Sequence, residues 1–302
     1  MDTQKKRVKR AVSGWLVLDK PYDMTSTQAV GKVRWLFSAA KAGHAGTLDP
    51  LATGILPIAL GEATKAVPYV QDGRKVYRFG LRWGAATSTD DAEGEVVATS
   101  ENRPDEADVA GVLAEFTGLV EQVPPAFSAL KIDGERAYDL ARAGEAVELA
   151  PRTVAIDSLT LLAHGTDIST FEVTCGKGTY VRALARDLAR RLGTCGHVAS
   201  LHRAAVGGFS DADAVRIEDL EAMDPAARDA ALKPVSAAFT ALPEVRLRAE
   251  QAATIRNGNP VLLTGAGAPI ALEAAWASFA GEVVATGSVE RGQFKPKRVF
   301  NL

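Results

Sequence analysis

In residues 43–65, GHAGTLDPLATGILPIALGEATK, Asp49 stands between Leu48 and Pro50 in a run of small apolar side chains, two prolines and four glycines. An Asp before Pro is pushed toward extended geometry, and Asp-Pro also opens helices well, so the dipeptide alone predicts no more than a cap or turn. The company changes that. Gly43, Gly46 and Gly54 allow close backbone approach and unusual φ on both sides of the carboxylate. Such a chain can hold one acid in an apolar-walled site, where its charge is weakly screened.

Other chemistries find little support. GxxxxGK[ST], GxGxxG after a strand, GxSxG and HExxH are all absent, which argues against nucleotide-driven, redox and zincin reactions. Cys175, Cys195, His197 and His202 lack a CxxC knuckle and read as core and loop residues rather than as a zinc set. GHAG at 43–46 fits the GxxG of a KH module, but without its flanking helices.

The elements that must position Asp49 are mixed α and β rather than repeating βαβ units. With 302 residues, 47% hydrophobic, the chain can bury a large core and suits one large domain plus a small one. GWLVLD (14–19) is predicted as a strand, Thr25 or Ser26 as the cap of a helix over 27–38, and KVYRFGLRW (75–83) as a strand paired with 93–99. Pro104 and Asp105 open an acidic helix that Gly118 stops. Residues 128–144 suggest a strand, an Asp-Gly turn and a short helix, followed by strands near 153–163 and 168–175. TYVRALARDLARRLG (179–193) is the clearest helix, with Val181, Leu184, Ala185, Leu188 and Leu192 on one stripe, a basic opposite face and Gly193 at its end. After Lys233-Pro234 the pattern shifts to short strands separated by Gly, Pro and Asn. The expected division is a basic flexible arm at 1–12, a catalytic domain at 13–235 and a small β-rich domain at 236–302. No apolar run of about 18 residues occurs, and no apolar region follows MDTQKKRVKR, so neither a membrane span nor a signal peptide is expected. With only two cysteines, a cytoplasmic location is the expectation.

The formal charge of -2 hides a strong asymmetry. Residues 1–80 hold 13 Lys/Arg against 6 Asp/Glu, residues 85–125 hold 1 against 10, and residues 170–210 hold 6 against 2. The segments around Asp49 and the 179–193 helix are the basic ones, so a polyanion can be bound locally despite an acidic total.

GHAGTLDPLATGILPIALGEATK, with LDKP (18–21), SALKIDGERAYDLAR (128–142) and KGTYVRALARDLA (177–189), resembles the bacterial tRNA pseudouridine-55 synthase family from about Gly14 to Phe209. The resemblance implies an α+β fold: a mixed, largely antiparallel sheet flanked by helices, with a PUA-like C-terminal domain. It implies isomerisation of uridine 55 in the tRNA T loop to pseudouridine, with Asp49 as the catalytic acid and no cofactor or metal. Pseudouridine formation breaks the N1 glycosidic bond and rejoins the base through C5 with no redox change. It calls for an ionised carboxylate in a dry pocket. By the same resemblance Tyr77 stacks on the uracil and joins a later proton transfer, and Arg182 pairs with Asp49. Tyr180 and Leu201 complete the pocket wall. His44 fills the space left when the base is extruded, at a cost of a few kcal/mol for unstacking. Lys20, Arg186, Arg190 and Arg191 are expected at phosphates.

The chain departs from the family pattern where a Thr-Asp-Thr run is usual. Thr87-Ser88-Thr89 is followed here by Asp90-Asp91, and Asp91 is aligned with the acid that meets the turning base, with Asp90 close enough to compete. The expected partner is the T-arm stem-loop of tRNA, bound by a monomer with no obligatory protein partner and no membrane contact. Two other functions remain open at this level: a guide-dependent ribonucleoprotein synthase sharing the GHxGTLDP core, and a non-catalytic tRNA-binding protein or folding chaperone.

Overall fold

The computed structural model describes residues 8–128, 131–132, 135–136 and 149–302. Of the strand, turn and helix expected over 128–144, only the backbone of a short strand pair falls within this range, and residues 1–7 of the basic arm lie outside the described residues.

The body is a nine-stranded sheet. In chain order it begins with β1 (Gly14–Lys20), β2 (Ala42–His44), β3 (Thr53–Leu60) and β4 (Lys75–Trp83). A separate hairpin of β5 (Ala85–Thr87) and β6 (Val96–Thr99) follows, then β7 (Gly118–Gln122) and the isolated pair β8 (Lys131–Ile132) and β9 (Glu135–Arg136). The sheet is completed by β10 (Arg152–Ala163), β11 (Ile168–Cys175), β12 (Gly196–Val206) and β13 (Phe209–Ser210). The spatial order is β1-β3-β12-β4-β11-β10-β7, with β2 on β3 and β13 on β12. All of these pairings are antiparallel except β3 with β12, which meet in parallel only at Thr53–His202 and Gly54–Arg203. The fold is thus α+β, with a mixed and largely antiparallel sheet.

Alternation along β1 explains why the strand is apolar throughout. Leu16 and Leu18 enter one buried cluster with Leu56, Ile58, Phe79 and Phe171, while Trp15 and Val17 enter another with Ile55, Ala59 and Phe209. Both faces of the sheet are therefore covered. On the first face lies the helix Ser26–Leu36, capped by Thr25 and Gln28 in a reciprocal capping box and buried through Ala29, Val33 and Leu36. The helix Val181–Arg191 packs Val181, Leu184, Ala185 and Leu188 inward, the stripe expected from sequence, and Gly193 closes it at φ 67°.

The C-terminal region forms a second sheet from β14 (Glu244–Arg246), β15 (Val261–Leu262), β16 (Leu272–Phe279), β17 (Glu282–Glu290) and β18 (Gln293–Val299). It has its own buried cluster around Ile255, Ala277, Val284 and Phe294. It also shares one with the main sheet, because Phe239, Val283 and Phe300 pack with Trp15, Val17 and Phe209. Tyr69 Oη donates to Thr286 Oγ1 at 2.8 Å, and the Asn301 amide donates to Glu62 at 2.7 Å.

One pairing differs from the sequence expectation. The 93–99 strand pairs with β5 rather than with β4, whose neighbours are β11 and β12. The central strand β12 gives no clear alternation in GHVASLHRAAV, because Arg203 and His197 are buried polar residues on it.

Candidate active site

Asp49 lies in the loop between β2 and β3, and three largely buried polar side chains set that loop. Ser26 Oγ bonds both the amide and the carbonyl of Leu48, at 2.9 and 3.0 Å. Lys20 Nζ donates to the carbonyls of Pro21, Met24 and Pro50 at 2.9, 2.6 and 3.2 Å. Arg203, 1% exposed on β12, donates Nε to the Ile55 carbonyl at 2.7 Å and Nη2 to the Gly46 carbonyl at 3.0 Å. Glycine is required beside these groups. Gly46 has φ 96°, and at Gly54, φ 94°, a Cβ would lie 2.4 Å from the Arg203 carbonyl.

The carboxylate this loop delivers meets a guanidinium. Arg182 Nη2 is 3.0 Å from Asp49 Oδ2, and Nη1 is 3.2 Å from Asp91 Oδ2. The same fork donates Nη1 to the Thr89 carbonyl at 3.1 Å and Nη2 to the Phe127 carbonyl at 2.9 Å. Arg182 sits in the first turn of its helix, where the dipole disfavours a cation, and the two carboxylates offset that cost. The Arg182 and Asp91 side chains are 6% and 2% exposed, whereas that of Asp49 is 37% exposed, so Asp49 is the member of the trio that opens onto solvent. Burial pushes the Asp49 carboxyl above its ordinary range; Arg182 pulls it down, and Asp91 adds to the upward push.

These groups line a cleft of about 1520 Å³, larger than the roughly 300–1,000 Å³ typical of small-molecule pockets. Its wall follows from strand register. Tyr77 lies opposite Arg203, and Phe79 opposite Leu201, so alternation along β4 and β12 puts Tyr77 and Leu201 on the same side of the sheet. Both side chains line the cleft with His44 and Tyr180. Burial raises the Tyr77 hydroxyl's pKa, keeping it a neutral phenol. His44 is held below its usual pKa by burial and by Arg203, and its buried Nδ1 has no hydrogen-bond partner among the described residues. The Arg152 guanidinium covers the Tyr180 ring at 4.7 Å.

The structure therefore brings together Asp49, Tyr77, Arg182, Asp91, His44, Tyr180 and Leu201. It removes Lys20 from the set of phosphate contacts: the side chain is fully buried, its three donors are taken by carbonyls, and burial lowers its pKa to about 8. Arg186 and Arg191 are also engaged within the protein, with Asp90 and Glu115, while Arg190 remains 71% exposed. The two adjacent acids part in space, with Asp91 on Arg182 and Asp90 on Arg186. Sequence reasoning missed Arg203 and the loop-holding part of Ser26. A charge inside the otherwise apolar end of LHRAAV was the available signal, because a buried cation needs partners.

Residues 34–181 match the model of the TruB family pseudouridylate synthase N-terminal domain, and residues 182–240 that of the tRNA pseudouridylate synthase B C-terminal domain. The chain is 51% identical to tRNA pseudouridine synthase B of Mesorhizobium japonicum and to that of Rhizobium meliloti, with 99% of each chain covered. It is 52% identical to the protein of the same name from Brucella abortus over 98% of both chains. Among solved structures, the fold is shared with a chain of a Cbf5-Nop10-Gar1 complex, at TM-score 0.72 and 24% identity, covering 96% of this chain and 83% of that one. A chain of an H/ACA RNP bound to a substrate RNA containing 2'-deoxyuridine matches at TM-score 0.72 and 21% identity, with 96% and 85% covered.

Proposed function

The chain belongs to the TruB family of pseudouridylate synthases, and from that premise we propose that it converts uridine 55 of the tRNA T loop to pseudouridine with Asp49 as the acting carboxylate. The observation that carries this reading is the Asp49–Arg182 contact of 3.0 Å at the base of an open cleft, with the carboxylate the exposed partner.

The reaction breaks C1′–N1, turns the uracil and forms C1′–C5, while a proton leaves C5 and one is gained at N1. Atoms and electrons balance within one nucleoside. Attack at C1′, addition at C6 and elimination toward a glycal all need an ionised carboxylate within reach of the nucleoside. Arg182 favours that ionised form and fixes its direction by holding Oδ2. Tyr77 and Leu201 offer an apolar wall for the extruded base, and the Tyr77 hydroxyl takes part in the later proton transfer. His44, held neutral by burial, stacks in the gap the base leaves. Unstacking costs a few kcal/mol, which contacts to the T arm must offset.

Identity of 51% over 99% of both chains to a protein named tRNA pseudouridine synthase B supports tRNA as the substrate, and action without guide or protein partners is part of the proposal. The test is tritium release from 5-tritiated uridine in a bare T-arm stem-loop, by the protein alone and by Asp49→Asn. Release by the unaltered protein and none by the variant is expected. No release from bare RNA, or measurable release by the variant, would refute the proposal.

A further inference from the structure

One turn beyond Arg182 the same helix carries a second, half-buried arginine that the chemistry above does not use. Arg186 Nη1 is 2.9 Å from Asp90 Oδ2, Nε is 2.9 Å from Asp187 Oδ1, and Nη2 donates to the Val123 carbonyl at 2.8 Å. Side chains four apart on a helix are neighbours, and here the two arginines take equivalent partners. Arg182 holds Asp91 and the Phe127 carbonyl, and Arg186 holds the adjacent acid Asp90 and the Val123 carbonyl. Between them they grip both ends of VPPAF, 123–127, a segment stiffened by Pro124 and Pro125.

The backbone between the acids is unusual. Asp90 has φ 60°, a conformation non-glycine residues rarely adopt, and its carbonyl accepts from the Val198 amide on β12 at 3.0 Å. That left-handed step is what turns the next carboxylate inward. Asp91 is 1% exposed and also accepts from the Glu93 amide at 3.0 Å. The Arg186 and Asp90 side chains are 11% and 16% exposed, so the pair is largely desolvated. A desolvated ion pair adds little net stability compared with apolar packing, and its best-attested use is to specify one geometry.

We propose that the Arg186–Asp90 pair is a positioning element for the proposed reaction, holding the left-handed turn and the 123–127 segment so that Asp91 and the Phe127 carbonyl aim Arg182 at Asp49. Neither residue is among those lining the cleft. The inference rests on the assignment of Asp49 as the acting acid, and it predicts a defect in the chemical step rather than in RNA binding.

The test uses Asp90→Asn, which keeps a residue tolerant of the left-handed conformation while removing the charge, together with Arg186→Gln and the double variant. Thermal melting, the dissociation constant for T-arm RNA and the single-turnover rate at saturating enzyme are measured for each. Each single variant should slow the single-turnover step on the order of tenfold, as small misplacements of reacting groups do, with the dissociation constant changed by less than about twofold. The double variant should be no slower than the slower single, because the pair acts as a unit. A wild-type rate in folded Asp90→Asn, additive losses, or a defect confined to the dissociation constant would overturn the inference. So would unfolding of both singles, which would make the pair a stability element. Asp49→Asn is assayed alongside: turnover by it refutes the assignment of Asp49, whereas an inactive Asp49→Asn beside a normal Asp90→Asn refutes the positioning role alone.

Discussion

Arg182→Lys keeps the charge beside Asp49 and removes the fork. The guanidinium places two nitrogens on four acceptors: Asp49 and the Phe127 carbonyl on Nη2, Asp91 and the Thr89 carbonyl on Nη1. A single ammonium cannot span both sets. If it settles toward Asp91 and Thr89, Asp49 loses a charge-assisted hydrogen bond worth about 1.5–3 kcal/mol. At about 1.4 kcal/mol per tenfold, the single-turnover rate should fall on the order of 10- to 150-fold. A shift in pH dependence should accompany the loss. Burial pushes the Asp49 carboxyl up, Arg182 and Lys20 pull it down, and Asp91 pushes it up. Weakening the Arg182 contact raises the pKa further. With Asp49 acting as the ionised acid proposed above, activity grows as pH climbs through that pKa, so the acid limb of the rate profile should move to higher pH. The assay is tritium release at saturating enzyme across the acid range, with RNA affinity measured at each pH. A rate within twofold of the unaltered protein, or an acid limb that stays in place, would refute the account of Arg182 as the group that orients and ionises Asp49.

Asp49→Asn should abolish pseudouridine formation while RNA affinity stays within a few fold, as read by tritium release and filter binding; measurable turnover would place the chemistry elsewhere. Arg203→Met should lower stability by roughly 2–5 kcal/mol, since the Ile55 and Gly46 carbonyls each lose a donor in a buried setting; a urea midpoint near that of the unaltered protein would show that the loop is held by other contacts. Lys297→Glu with Arg298→Glu, both exposed on β18, should weaken binding of full tRNA more than that of the isolated T-arm hairpin. Equal losses for the two RNAs would mean that the second sheet does not reach beyond the reacting arm. Charge reversal is the appropriate perturbation there, because truncation at 236 would strip Phe239, Val283 and Phe300 from the cluster they share with Trp15 and Phe209.

Local patterns in the sequence determine much of this protein. Thr25 and Gln28 spell a capping box, KVYRFGLRW alternates as a strand over the same bounds as β4, and the apolar stripe of the 181–191 helix is legible without its partners. The motif around Asp49, by its resemblance to a family, pointed to the acid and to the residues that gather around it. Those features depend on neighbours within a few positions. What the sequence could not decide depends on desolvation, which only the assembled sheet imposes. Lys20 looked like a phosphate ligand because lysine is usually exposed; β1 is covered on both faces, and three carbonyls take its donors. Arg203 hid within a strand with no clear alternation and emerged only when β12 paired with β4 and met β3. Asp90 and Asp91 are chemically alike and adjacent in the chain. The left-handed turn at Asp90 and the one-turn spacing of Arg182 and Arg186 send them to different cations, and only Asp91 joins the trio with Asp49.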